Sequence, residues 1–133
     1  GDPRSGPMTW EAVREMSVAG IEFGSHSVDH PVLSRLDEAT LARELLESKA
    51  RIEAVTGEAV RVLAYPVGGK GAFNPAVQAA AREAGYRLGV SYLPGVERPG
   101  SWDPFAIRRL HVEPYVSDRL FRAMLALPAV FAR

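Results

Sequence analysis

Two periods of apolar and polar residues alternate along the chain, and each switch between them marks an element. Trp10, Val13, Met16 and Val18 recur near the helical period of about 3.6 residues. Thr9 stands in capping position before that run and Gly20 ends it. Ile21-Glu22-Phe23 alternates as a short strand does and delivers the chain into Gly24-Ser25-His26-Ser27-Val28-Asp29-His30-Pro31. Asp37 then caps a long amphipathic helix through Leu41, Leu45, Leu46, Ile52 and Val55. Glu44, Glu47, Lys49 and Arg51 are expected on its solvent side, with Gly57 as terminator.

The second half repeats the scheme. Val60 to Tyr65 is an apolar run of strand length, broken by the loop Pro66-Val67-Gly68-Gly69-Lys70-Gly71. Asn74-Pro75 opens a helix through Val77 and Ala81 to Gly85, and Tyr86 to Tyr92 is expected as a strand. A loop punctuated by Pro and Gly from Leu93 to Pro104 leads to a strand near Ile107 to Val112. Ser117 caps a closing helix containing Leu120, Phe121, Met124 and Leu125. Helix and strand alternating in this way predict an α/β fold with a mainly parallel sheet, whose sites gather at the carboxyl ends of the strands.

A chain of 133 residues is expected to build one core, here over residues 8–133, with the Gly- and Pro-rich residues 1–7 as a flexible terminus. The 16 basic and 16 acidic residues balance, which argues against a nucleic-acid partner. The arginines of the second half (Arg82, Arg87, Arg98, Arg108, Arg109, Arg119 and Arg122) are interspersed with acids and are expected on a solvated surface. No apolar run reaches the ~20 residues of a membrane span. There is no cysteine, so a metal would have to be held by histidine and carboxylate.

His26 and His30 are the sharpest chemical feature. Four residues apart, two imidazoles project to one side if the backbone between them makes a helical turn, and together they suit a borderline cation such as Zn²⁺. A catalytic ion usually takes a third protein ligand, and Asp29 points elsewhere in such a turn. The same spacing also arises by chance on a surface. The position just past a strand and beside small residues favours a site. Trp102, Tyr92, Tyr115 and Phe105 offer flat faces to sugar rings, or pack in the core and loops.

The stretch from Gly20 to Leu33 resembles the second motif of the polysaccharide deacetylases, Gly-x-Glu-(Ile/Phe)-Gly-Ser-His-(Ser/Thr)-x-x-His-Pro-x-Leu. Ala64-Tyr65-Pro66-Val67-Gly68-Gly69 is similar to the family's third motif in one of its branches. Ala84-Gly85-Tyr86 and Arg109-Leu110-His111-Val112 also follow its pattern. The resemblance runs from about Met8 onward and implies part of a (β/α) barrel of the NodB-like type. It implies hydrolysis of N-acetyl or O-acetyl groups on the sugars of a polysaccharide or glycan. The implied cofactor is a divalent metal, zinc first, with cobalt, nickel or manganese as alternatives.

By the same resemblance, His26 and His30 are the metal ligands and the backbone N–H of Val67 is an oxyanion donor. His111 is the general acid, unless it is only a half-buried histidine at a strand edge. Tyr65, Pro66 and Trp102 are expected beside the substrate.

The family's first motif, a Thr-Phe-Asp-Asp-Gly strand that carries the base and a third metal ligand, has no counterpart in this sequence. Asp2, in a Gly-Pro context, does not replace it, and Ala64 stands where other branches have an arginine. A domain without that strand is expected to have an open sheet edge and apolar surface, which invites association into a homo-oligomer. The alternative function is a non-catalytic carbohydrate-binding or structural subunit.

Overall fold

The computed structural model describes residues 6–98 and 100–131. Most of the expected terminus at residues 1–7, and Asp2 with it, lies outside them. Helix α1 (Trp10–Val18) is followed by a single 3₁₀ turn, Leu33–Arg35, and by α2 (Glu38–Thr56). Strand β1 (Val62–Ala64), helix α3 (Pro75–Glu83), strands β2 (Leu88–Pro94) and β3 (Ile107–Arg109), and helices α4 (Asp118–Ala126) and α5 (Pro128–Phe131) complete the chain. The strands form one parallel sheet in the order β1-β2-β3.

Helix starts follow from local chemistry. The side chains of Thr9, Asp37, Asn74 and Ser117 each accept a hydrogen bond from the backbone N–H three residues on, satisfying a donor that the helix leaves unpaired. Gly57 closes α2 in the left-handed conformation, at φ 73°.

β1 and β3 are shorter than the apolar runs that announce them, whereas β2 keeps the expected length but lies two residues further on, running into the stretch expected as loop from Leu93. Among the described residues Ile21–Phe23 forms no strand. Only Ser25 pairs with β1, as an isolated parallel bridge in which Ser25 N–H donates to Val62 O and Ala64 N–H donates to Ser25 O, each at 2.9 Å. The chain leaves α1 through Gly20 at φ 93° and meets β1 only at that point, so alternation alone yields no ladder. β3 ends at Arg109, three residues before the expected Val112, and the β2–β3 register is irregular between Val90 and Pro94.

The core joins α2, α3 and the sheet through Leu33, Leu41, Leu45, Val60, Leu63, Tyr65, Val77, Ala81, Tyr86 and Phe105. On α2 the buried positions are Leu41, Glu44, Leu45 and Ser48, one inward stripe of the helical period. Two expectations are thereby corrected: Leu46 is exposed, and Glu44 is 1% exposed rather than on the solvent side.

Candidate metal and catalytic site

Three segments end at the carboxyl side of the parallel strands: His26 after the Ser25 bridge, Pro66–Gly69 after β1, and His111 after β3. The imidazoles of His26 and His30 meet edge to face, with ring centroids 4.8 Å apart and planes at 70°. Their convergence comes from a tighter turn than a helical one. Ser27 at φ 65° and His30 at φ 56° both occupy the left-handed region, sparsely populated by residues other than glycine. Ser25 Oγ accepts from Ser27 N–H at 3.3 Å, and Ser27 Oγ accepts from His30 N–H at 3.1 Å.

His26 Nδ1 lies 2.8 Å from Ala64 O. A carbonyl only accepts, so Nδ1 carries the proton and Nε2 keeps its lone pair, the arrangement that suits a metal ligand. Asp29 turns away as expected: its carboxylate pairs with Arg43 at 3.0 Å, and that guanidinium holds its pKa below the ordinary value. Among the described residues no group of three or more His, Asp or Glu side chains stands ready to hold a metal. Two imidazoles are at most two donors of an ion's coordination shell, so the described residues alone do not complete one.

Past the end of β1, Val67 stands in a γ-turn, with Gly68 N–H donating to Pro66 O at 2.6 Å. A β-branched residue at φ 63° stores strain on the order of 1–3 kcal/mol, a cost typical of functional loops. Among the described residues the Val67 N–H has no hydrogen-bond acceptor. Tyr92 N–H donates to Gly68 O at 2.7 Å and fixes the turn to β2. On the far side of Tyr92, His111 stacks on its ring at 3.9 Å, and His111 Nε2 lies 3.2 Å from Tyr92 O. By the same reasoning Nε2–H is the donor, which leaves Nδ1 as the nitrogen that can exchange a proton.

Two expected substrate contacts are corrected. Tyr65 is 3% exposed, stacks on Phe73 and donates from its hydroxyl to Phe105 O at 2.8 Å. Pro66 is fully buried, so neither side chain is open to a sugar. Trp102 is exposed in the loop before β3, and among the described residues no hydrogen bond or ring stack joins it to the histidines. A cleft of about 500 Å³ between Ile21–Gly24 and Val60–Val62 opens at the other end of β1, away from Ala64.

Sequence reasoning missed Glu44, whose buried carboxylate accepts from Val28 N–H at 2.8 Å and Asp29 N–H at 3.0 Å. Its place on the stripe between Leu41 and Ser48 was the available signal.

With this geometry, residues 4–89 match the family model of the polysaccharide deacetylases. The chain belongs to that family. It is 30% identical over 118 residues to YxkH of Bacillus subtilis (strain 168), provisionally named a polysaccharide deacetylase, covering 89% of this chain and 41% of that protein. The fold matches the Streptococcus pyogenes deacetylase PplD, solved with acetate, at a TM-score of 0.80 and 22% identity over 91% of this chain and 52% of PplD. It also matches BA3943 of Bacillus anthracis, a CE4 family pseudoenzyme, at a TM-score of 0.56 and 25% identity over 63% of this chain and 28% of that one. The chain thus spans about half, or less, of these relatives. The α/β architecture is that of the NodB-like deacetylases, part of a barrel.

Proposed function

We propose that this polysaccharide deacetylase chain contributes part of a site that removes acetyl groups from N-acetylated or O-acetylated sugars of a polysaccharide or glycan. The observation that carries the reading is the edge-to-face pair of His26 and His30, with His26 Nδ1 held on Ala64 O and Nε2 free. These two imidazoles would hold a divalent ion, zinc or else cobalt, nickel or manganese. When bound, such an ion supplies Lewis acidity toward an acetyl carbonyl.

The protein's own groups do the rest. The unpaired Val67 N–H, at the mouth of a strained and buttressed turn, is suited to receive the oxyanion that develops as the carbonyl is attacked. His111, anchored through Nε2 to Tyr92 O, can give a proton from Nδ1 to the departing amine or alkoxide. Trp102, exposed in its loop, offers a ring face to a sugar. A third ligand and a carboxylate base are the roles of the Asp-Asp strand that the family pattern implies. No such pair stands with the histidines among the described residues.

Ion binding and acetate release test the two halves separately. Calorimetric titration with cobalt should show one site that His26→Ala or His30→Ala abolishes. Acetate release from an N-acetylated sugar oligomer should be lost on chelation wherever it is observed. Cobalt binding that survives both substitutions would overturn the assignment. Ion binding without acetate release favours the second reading, a non-catalytic sugar-binding or structural subunit, to which the two-ligand donor set and the pseudoenzyme neighbour lend weight.

A further inference from the structure

We infer that Glu44 is a positioning residue for the histidine pair: its buried carboxylate grips the turn between His26 and His30 and thereby sets the direction of both rings. The inference rests on the reading of that pair as a metal half-site and names the device that shapes it.

A carboxylate that is 1% exposed is costly to bury unless its oxygens are fully engaged. Those of Glu44 are. Oε2 accepts from the consecutive amides of Val28 and Asp29, at 2.8 and 3.0 Å, and Oε1 accepts from Arg43 Nη2 at 2.6 Å. The two amides lie midway between the histidines and follow Ser27, the first of the two left-handed residues.

Without a fixed acceptor, Val28 and Asp29 would turn to water. Ser27 and His30 could then relax to ordinary φ, and the rings would swing apart. Glu44 is a firm post for such a clamp. Its neighbours Leu41 and Leu45 lie in the core, and Ser48, one turn on, is bonded at 2.7 Å to Ser25, the residue before His26. Arg43 adds a second tie by bridging Glu44 to the side chain of Asp29 at 3.0 Å. The turn is thus held through its backbone by Glu44 and through a side chain by Arg43, both from α2.

The variants that separate clamp from half-site are Glu44→Ala, Glu44→Gln and Arg43→Ala. Each is followed by cobalt calorimetry and, without metal, by amide hydrogen exchange and by the ring-to-ring contact of His26 and His30 in NMR. Glu44→Ala should speed exchange at Val28 and Asp29, lose the ring contact and weaken cobalt binding by about 10–100-fold. Glu44→Gln keeps an oxygen for both amides and should stay nearest the parent. Arg43→Ala should fall between them, and it carries the test if Glu44→Ala does not fold. Unchanged exchange and an unchanged ring contact in both Glu44→Ala and Arg43→Ala, or in Arg43→Ala alone where Glu44→Ala does not fold, would overturn the clamp while leaving the half-site standing. Should the parent chain bind no cobalt, the half-site reading falls, and the metal-free measurements alone decide the clamp.

Discussion

Gly89 sits in β2 with no room for a side chain. A Cβ built there overlaps the Tyr65 hydroxyl oxygen, lies 2.8 Å from Tyr65 Cζ and stands 3.1 Å from Phe105 Cα. Tyr65 cannot swing aside, because it is buried, stacked on Phe73 and bonded to Phe105 O. Gly89→Ala should therefore cost about 1–3 kcal/mol for overpacking. Displacing the hydroxyl adds about 1 kcal/mol, and no more, because Phe105 O keeps a second donor in Gln78 Nε2 at 3.0 Å. The total, about 2–4 kcal/mol, corresponds to a fall in melting temperature on the order of 10 °C. Tyr65→Phe removes the nearest clashing atom but leaves the ring carbon, so the double variant should recover only part of the loss. Its cost should fall below the sum of the singles by about 1 kcal/mol. Urea denaturation followed by far-ultraviolet circular dichroism measures all three. A Gly89→Ala cost within about 0.5 kcal/mol of zero, or strict additivity in the double variant, would refute the packing argument. Because Tyr65 leads directly into the Pro66–Gly68 turn, the same variant should also impair any activity that depends on the Val67 N–H.

Loss of the α2 cap in Asp37→Ala should destabilise the fold by about 1 kcal/mol, read as a shift in the urea midpoint. Acidification should weaken the fold through Glu53, whose pKa is held below the ordinary 4.5 chiefly by a hydrogen bond from Lys49. A lowered folded-state pKa gives stability that is present above the ordinary value and is lost as pH falls past it, so Lys49→Met or added salt should flatten the acid limb of a stability–pH profile. At the alkaline end, burial pushes the phenols of Tyr65 and Tyr86 above their ordinary 10.0. Raised values give stability that is complete below the unfolded pKa and falls as pH climbs beyond it, so the profile should drop from about pH 10. Tyr86→Phe should soften that drop.

Helix starts were legible in the sequence because a cap is a contact across three residues: Thr9, Asp37, Asn74 and Ser117 do what their chemistry predicts. Strand lengths were not, because a ladder needs a partner. Ile21-Glu22-Phe23 has the right alternation, yet only Ser25 finds β1. The histidine pair was visible as a spacing, but the expected helical turn is instead a pair of left-handed residues held from a helix that begins eight residues further on. Nothing in Ser27 or His30 announces that conformation.

The groups that shape the site are those that break local rules. Val67 is β-branched where glycine would be at ease, Glu44 is charged where the stripe calls for an apolar residue, and His30 is left-handed without being asparagine or glycine. Two of these violations are upheld by contacts distant in sequence, Tyr92 on the γ-turn and Val28 and Asp29 on Glu44, while His30 N–H is held locally by Ser27 Oγ within the turn that Glu44 grips. A strained turn persists only where surrounding structure over-determines it. That so much of the core's framework is committed to holding two exposed imidazoles together is a stronger argument for a site than their spacing, since packing alone would be better served by relaxing the turn and replacing the buried carboxylate with an apolar side chain.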